Sequence, residues 1–126
     1  MDVNRIKRGD IVFVNNLCRE PHGFVLSGNH PAVVIQNNAG NMYSRNLIVA
    51  YMTSSLKRIE LPTKVVLQWY GGLRNVSVVE TEQLSTISKD DVISVIDRLR
   101  PEDMERVNKA LMASLALGEE DEDGST

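Results

Sequence analysis

Two side chains suited to phosphate chemistry, those of His30 and Thr53, stand at the boundaries of two apolar segments. His30 directly precedes the segment PAVVIQ (31–36), and Thr53 ends the segment RNLIVAYMT (45–53). Such β-branched, apolar segments predict strands. If a turn at 37–44 joins them as an antiparallel pair, the start of one strand lies beside the end of the other. We therefore expect His30 and Thr53 to be neighbours.

A histidine beside a hydroxyl, close to a polar and partly basic loop, is suited to proton transfer next to a phosphate. The loop 17–30 contains Arg19, Ser27 and Asn29. A structural interpretation competes with this one, because His30 could cap the entry to a strand while Thr53 satisfies a turn. Composition alone favours the structural interpretation, so the residues by themselves leave both open.

Other catalytic arrangements are absent from the sequence. It contains no HExxH, CxxC or GxSxG motif and no glycine-rich phosphate loop. A single cysteine, Cys18, excludes an internal disulfide and a zinc site built on several cysteines, and two histidines are too few for a histidine-rich metal site. We expect no metal and no cofactor.

Glu80 and Glu82 form a carboxylate pair on one face of a strand. Such a pair usually marks a solvated edge and not a catalytic site.

Charge is distributed unevenly along the 126 residues, which have a net charge of −3. Five of the 17 acidic residues lie at 119–123, and the remaining 12 stand against 14 Lys and Arg, so residues 1–118 carry about +2. We therefore expect a mildly basic domain at 1–117 and an acidic, disordered tail at 118–126.

No segment approaches the roughly 18 to 20 apolar residues of a membrane span. No apolar segment follows the charged start either, so we expect a cytoplasmic protein.

The patterns predict five or six short antiparallel strands followed by two helices, which together make a small, strongly bent sheet or a partly open barrel. Predicted strands cover 10–16, 31–36, 45–53, 63–69 and 75–84. Ser88 and Asp91 resemble a capping box for a first helix, KDDVISVIDRL (89–99). Pro101 is well placed to begin a second helix. Its apolar face, which we expect to pack on the sheet, consists of Met104, Val107, Leu111 and Leu115.

Several of these segments together resemble one protein family. KRGDIVFV, HPAVVIQNNAGN, LIVAYMTS, IELPTKVVL, VSVVETEQLSTISKDDV and NKALMASLAL follow in unbroken order over about residues 7–117. They are similar to the MazF/PemK toxins of bacterial toxin–antitoxin systems. The resemblance implies an SH3-like, partly open barrel with C-terminal helices that works as a homodimer.

The same resemblance implies an activity and partners. Members of this family cut single-stranded RNA at short sequences without a metal, leaving a 2′,3′-cyclic phosphate and a 5′-hydroxyl. A cognate antitoxin, expected to be an acidic, amphipathic and partly disordered segment, holds the toxin inactive, and the complex of the two binds DNA. The catalytic candidates here are His30 and Thr53. The residues expected to bind substrate are Arg19, Gly23, Ser27, Asn29 and Gln83.

The most informative departure from the family is His30, which stands where the family has arginine. Arginine holds a phosphate through two parallel hydrogen bonds, whereas histidine exchanges protons. Either His30 serves as a general acid or base, or the protein binds RNA and cleaves it weakly. Arg19 or Arg45 could supply the missing positive charge. The family's Gly-Ser-Glu-Gln segment is replaced by residues 23–26 (GFVL), and Ser27 could supply a hydroxyl if the loop is shifted.

Two other classes of function compete with an endoribonuclease. Gyrase-inhibiting CcdB toxins share the expected fold but act by binding a protein, so fold alone does not decide. A non-catalytic RNA-binding module is the third possibility, favoured by His30 and by the missing loop residues. The matches at HPAVVIQN and LPTKV favour the endoribonuclease.

Overall fold

The computed structural model of the chain describes residues 5–16 and 28–118. Arg19, Gly23 and Ser27 lie outside these residues, as do Cys18 and the acidic run 119–123, so the predictions that concern them stay predictions. The described chain contains six strands and two α-helices. In chain order they are β1 (Asp10–Asn16), β2 (Gly28–Val34), α1 (Asn38–Tyr43), β3 (Asn46–Thr53), β4 (Lys64–Leu67), β5 (Ser77–Ser88), β6 (Val92–Arg98) and α2 (Pro101–Leu115).

The six strands form one antiparallel sheet in the order β4-β5-β3-β2-β1-β6. Strand β5 is long enough to pair with β3 along most of its length and with β4 at its start. Pairing shifts register within β3–β5 and twice within β1–β6, and such irregularities bend a sheet. Because β4 and β6 are edges of the described sheet, it is a partly open structure, which confirms the predicted fold class.

Successive side chains along a strand point to opposite faces of the sheet, and this divides the core into two clusters. Ile11, Val33 and Ala50 face a cluster that α2 covers. Their chain neighbours in β1 and β2, Val12 and Ala32, belong to the second cluster on the opposite face of the sheet. Both faces are apolar in the central strands, which explains why 31–36 reads as a continuous apolar run and not as an alternating one.

Helix α2 begins at Pro101, as predicted, and Glu102 and Asp103 lie in its first turn. Val107 and Leu111 are buried against the sheet and Met104 packs at the edge of the same cluster, whereas Leu115 remains 50% exposed. The predicted apolar face is therefore confirmed over its first three members. Neither α-helix among the described residues has both the length and the apolar character needed to cross a membrane.

The helix predicted at 89–99 is wrong. Only Lys89–Asp91 form a single 3₁₀ turn, which Ser88 caps by accepting a hydrogen bond from the Asp90 N–H at 3.1 Å, and Val92–Arg98 is strand β6. The capping signal was real, but the β-branched residues after it pair with β1. The described residues after β5 therefore contain one α-helix and not two.

The turn between β2 and β3 contains the short helix α1. Asn37 caps it by accepting a hydrogen bond from the Gly40 N–H at 2.7 Å. The Gln36 amide donates to Asn41 Oδ1 at 3.1 Å and to the Asn46 carbonyl at 3.0 Å. These amides thus build the turn expected at 37–44.

Candidate active site

His30 and Thr53 meet at one end of the sheet. Strands β2 and β3 are antiparallel, with Ala32 opposite Tyr51. Continuing that register by two residues places His30 opposite Thr53, at the start of one strand and the end of the next. Both residues line one pocket of about 670 Å³. The other residues that line it are Phe13, Pro31, Met52, Ser54, Gly72, Leu73, Arg74, Asn75, Ser77 and Ile96.

The Thr53 hydroxyl has a defined position because the chain turns directly after it. Thr53 Oγ1 accepts a hydrogen bond from the Ser55 N–H at 3.1 Å, and Ser55 Oγ accepts one from the Lys57 N–H at 3.3 Å. Short side-chain-to-backbone bonds of this kind end strands. A hydroxyl that accepts one bond can still donate its own proton. Thr53 therefore serves a turn and can also offer an O–H donor to a ligand.

The opposite wall of the pocket is the segment 68–76 between β4 and β5, which we call the β4–β5 loop. Its Gly72 lies so close to β6 that a side chain there would collide with the Ile96 carbonyl oxygen. The Gly72 N–H also donates to Asp97 Oδ2 at 3.0 Å. Only glycine permits this approach, so Gly72 fixes the loop against β6 and forms part of the pocket wall.

Tyr70 attaches the same loop to the start of α2. Its buried hydroxyl donates to Asp103 Oδ2 at 2.6 Å and accepts from the Arg100 N–H at 2.8 Å. Arg106 Nη1 donates to Asp103 Oδ1 at 2.9 Å, and the Arg100 guanidinium stacks over the Tyr70 ring, 4.0 Å from its centroid. The loop is thus held on two sides, by β6 and by α2.

These contacts change the ionisation of the two buried partners. Burial, together with the hydrogen bond to Asp103, raises the pKa of Tyr70. Burial alone would raise the pKa of Asp103, but the hydrogen bonds from Tyr70 and Arg106 outweigh it, and the net pKa is lowered. Asp103 is therefore a carboxylate at neutral pH, which is the form that Tyr70, Arg100 and Arg106 require.

Arg74 lines the same pocket as His30 and Thr53. Sequence reasoning did not find it, and considered Arg19 and Arg45 instead. Arg45 directly precedes β3, at the opposite end of that strand from Thr53, so the candidacy of Arg45 for this pocket is wrong. Arg74 reaches the pocket because Val78 of β5 pairs with Thr53 of β3, which brings the residues before β5 to this end of the sheet, and no local sequence pattern announces that pairing.

Two further substrate-binding candidates lie outside this pocket. Asn29 is exposed on β2, opposite Asn15 of β1. Gln83 lies in β5 at the register shift opposite the segment between Ala50 and Met52 of β3. Neither Asn29 nor Gln83 lines the pocket that contains His30 and Thr53. The roles of Asn29 and Gln83 in substrate binding stay predictions.

The carboxylates of Glu80 and Glu82 both pair with Lys64, whose side chain is largely buried. Lys64 Nζ lies 2.7 Å from Glu80 Oε2 and 3.5 Å from Glu82 Oε1, and its hydrogen bond to Glu80 raises the pKa of the lysine. Thr63 also donates to Glu82, at 2.8 Å. This arrangement fits a structural edge between β4 and β5. No group of three or more His, Cys, Asp or Glu among residues 5–16 and 28–118 could hold a metal ion.

A single bent antiparallel sheet and one covering helix define a small β-protein, and a histidine, a threonine and an arginine line a pocket at one end of its sheet. A family model described as a PemK-like, MazF-like toxin of type II toxin–antitoxin systems matches residues 7–115. The chain belongs to this family.

A curated relative supports that membership, and two solved structures share the fold. The chain is 39% identical over 114 residues to Endoribonuclease EndoA of Bacillus subtilis (strain 168), covering 89% of this chain and 96% of that protein. A crystal structure of MazF from Deinococcus radiodurans superposes with a TM-score of 0.72 at 19% identity, covering 89% and 97% of the two chains. An endoribonuclease in complex with its cognate antitoxin, from a mycobacterial species, gives a TM-score of 0.71 at 22% identity, with coverage of 89% and 96%.

Proposed function

We propose that this toxin is an endoribonuclease that cuts single-stranded RNA without a metal. The ribose 2′-hydroxyl attacks the adjacent phosphorus, the bond to the 5′ oxygen breaks, and the products carry a 2′,3′-cyclic phosphate and a 5′-hydroxyl. The observation that carries this proposal is that His30, Thr53 and Arg74 line one pocket. Membership of the toxin family and the 39% identity to Endoribonuclease EndoA of Bacillus subtilis support it.

Each of the three side chains meets one requirement of this reaction. One proton must leave the 2′-hydroxyl and another must reach the departing 5′ oxygen, and His30 is the proton carrier at one of these two oxygens. Thr53 donates a hydrogen bond to a non-bridging oxygen. Arg74 supplies a permanent positive charge to the phosphorane, where preorganised charge is most effective. The positive charge that the family places at position 30 thus comes from the β4–β5 loop.

The size of the pocket fits a nucleotide. Its volume of about 670 Å³ lies within the roughly 300 to 1,000 Å³ of small-molecule sites. Phe13, Pro31 and Met52 provide an apolar wall, against which a ribose or base can pack. The open mouth at the end of the sheet lets a single strand pass through, whereas a duplex would keep its bases stacked and paired.

The partners proposed for this chain are a second copy of itself and a cognate antitoxin. The mycobacterial neighbour is described as a complex with its cognate antitoxin, which supports an antitoxin here. Exposed apolar side chains on the described strands, Ile48 and Ile93, support association of two copies. A cytoplasmic location follows from RNA as substrate.

An RNA-binding module without cleavage is the second candidate, and the observation that favours it is His30 in place of the family's arginine. Incubation of the purified chain with a long mixed-sequence RNA in EDTA, followed by mapping of 5′-hydroxyl ends, separates the two candidates. The endoribonuclease produces discrete ends that are lost in His30→Ala. RNA that is retained but stays intact supports the module. RNA that is neither bound nor cut overturns both and favours a protein target.

A further inference from the structure

Trp69 is an aromatic side chain that the fold presents to solvent. It is the only tryptophan of the chain and is 88% exposed. Its backbone is left-handed, with φ of 67°, a conformation that is uncommon for bulky side chains because Cβ crowds the carbonyl oxygen. Glycine would fit this backbone better. An exposed tryptophan at a strained position is a candidate for function, since folding alone gains little from it.

Arg100 holds Trp69 in this conformation. Its Nη2 donates to the Gln68 carbonyl at 2.8 Å and its Nη1 donates to the Trp69 carbonyl at 3.2 Å. The same guanidinium stacks on Tyr70, whose ring is buried. The backbone on both sides of the indole is therefore fixed to α2, so the ring stands on a rigid base.

A second pocket, of about 470 Å³, opens beside the indole. Gln68, Trp69 and Val76 line it together with Tyr70 and three residues that also line the first pocket. Those three shared residues are Leu73, Arg74 and Asn75. The two pockets are therefore neighbours on either side of one short segment, and Arg74 stands between them.

We infer that Trp69 is the stacking platform of a nucleobase subsite, which takes an unpaired base of the RNA adjacent to the phosphate held in the first pocket. This inference rests on the proposed function. Arg74 contacts the backbone phosphate between the two nucleotides, and the base lies flat on the indole. Successive nucleotides of a single strand lie close enough together to occupy two adjoining pockets.

The chemistry of the second pocket favours a base over a protein segment. Aromatic side chains that stack bases, next to cations that follow the phosphates, are the usual means of binding single strands. The amides of Gln68 and Asn75 line the same pocket, and amides can pair with the donor and acceptor edges of an unstacked base. Among the described residues, Arg74 is the one cation that lines it.

The single tryptophan makes a direct test possible. A 20-nucleotide mixed-sequence RNA with 2′-O-methyl riboses cannot be cut by 2′-hydroxyl attack, and is titrated into the full chain while tryptophan emission is followed. Stacking should quench that emission in a saturable manner and lower its quenching by acrylamide. Saturable binding of the labelled RNA with unchanged emission would overturn the subsite.

Substitutions at position 69 distinguish a loss of base stacking from a loss of folding stability. Trp69→Ala and Trp69→Gly should each weaken binding of the labelled RNA about 5- to 100-fold, and Trp69→Phe should keep most of the affinity. Trp69→Gly should unfold at a temperature no lower than the parent, because glycine adopts this backbone without strain. Tyr43→Ala is the matched control, since Tyr43 is 83% exposed on α1, at the opposite end of β2 and β3. Equal losses in Tyr43→Ala and Trp69→Ala would overturn the inference.

Different experimental results would contradict the nucleobase subsite and the proposed function. If His30→Ala abolishes cleavage while Trp69→Ala cuts and binds as the parent does, the subsite is wrong and the endoribonuclease stands. Quenching by the 2′-O-methyl RNA without cleavage of ordinary RNA supports the subsite and overturns the enzyme. If Trp69→Ala converts a dimer to a monomer in sedimentation, Trp69 belongs to an interface between two copies and the subsite is wrong.

Discussion

At the scale of single residues, the pocket joins an imidazole at the start of β2 to a guanidinium from the β4–β5 loop. In the proposed reaction, His30 and Arg74 divide two tasks, proton transfer and charge stabilisation, that differ in what they require of the side chain. A proton carrier must change its charge near the working pH, whereas a phosphate ligand should never lose it. Separation onto two residues lets each side chain suit its task.

His30 is expected to be essential for cleavage. If it carries a proton, His30→Ala should lower the rate of RNA cleavage about 10²- to 10⁴-fold, the usual value of general acid–base catalysis. Thr53→Ala should lower the rate of cleavage less, because its hydrogen bond is only one of several to the phosphorane. His30→Arg should lower the rate of cleavage if His30 is an adapted proton carrier, and should raise that rate if histidine is a weakened phosphate ligand. Unchanged cleavage in both His30 variants would remove this pocket from the reaction.

Arg74 is expected to supply transition-state charge. Arg74→Ala should lower kcat about 10²-fold, the lower end of the loss seen when one preorganised donor is removed, and Arg74→Lys should recover only part of it because lysine lacks the planar fork. Arg45→Ala is the control, since Arg45 precedes the far end of β3. Single-turnover cleavage of one defined RNA measures all three. Equal rates in Arg74→Ala and Arg45→Ala would assign the charge to another residue.

At the scale of elements, the decisive segment is the β4–β5 loop. It has no regular structure of its own, yet it is held by β6 through Gly72 and by α2 through Tyr70. Loops held by a rigid scaffold are common carriers of function. The helix therefore serves the site indirectly, because it fixes the backbone from which Arg74 and Trp69 extend.

Gly72 is expected to control the position of this loop. Gly72→Ala places a methyl group against the Ile96 carbonyl and should lower the free energy of unfolding by about 1 to 3 kcal/mol. A loop displaced by about 1 Å should also reduce cleavage about 10²-fold. Gly71→Ala is the matched control, because a side chain there meets no atom within 4 Å. Urea unfolding and cleavage assays of both variants test this, and identical behaviour of the two would contradict it.

Asp103 is expected to make the stability of this region acid-sensitive. Its pKa is lowered in the folded protein, so its contribution is fully present above the unfolded value near pH 4 and is lost as the pH falls through the folded value. Asp103→Asn should lower the free energy of unfolding at pH 7 by about 1 to 3 kcal/mol. The difference from the parent should shrink in acid below about pH 4.

A neighbouring acid provides the control for Asp103. Glu102 lies in the same first turn of α2 but is exposed, so Glu102→Gln should change the free energy of unfolding by no more than about 0.5 kcal/mol. Denaturant unfolding of both variants from pH 3 to pH 7 measures the effect. A constant deficit of Asp103→Asn at every pH would show that the carboxylate charge does not matter.

At the scale of the whole molecule, the sheet leaves β4 and β6 as edges and places apolar side chains in solvent. Ile93 of β6 is 52% exposed and Ile48 of β3 is 39% exposed. Exposed apolar side chains and sheet edges are features that proteins usually cover by association. A second copy of the chain, related by two-fold symmetry, can bury such surfaces.

The chain is accordingly expected to be a homodimer. Sedimentation velocity at micromolar concentration should give a particle of twice the 14.1 kDa chain mass. The dimer should persist at 1 M salt, because burial of apolar surface is not screened by ions. Deletion of residues 118–126 serves as the control, since the acidic tail should not contribute to association. A monomer under these conditions would contradict the prediction.

The sequence alone determined the elements whose signals are local. The β-branched run before Gln36 and the run that ends at Thr53 predicted β2 and β3, and Pro101 predicted the start of α2. Because β2 and β3 are consecutive, their antiparallel pairing could be inferred, and with it the meeting of His30 and Thr53.

Only the tertiary structure decided what depends on distant partners. Residues 92–98 follow a helix-capping signal, and they became β6 because their backbone groups pair with β1, some 80 residues earlier in the chain. Arg74 reaches the pocket because β5 lies beside β3 and Gly72 packs on β6. The physical reason is that hydrogen bonds between strands and close backbone contacts join segments far apart in sequence, so no local pattern records which strand will be the neighbour.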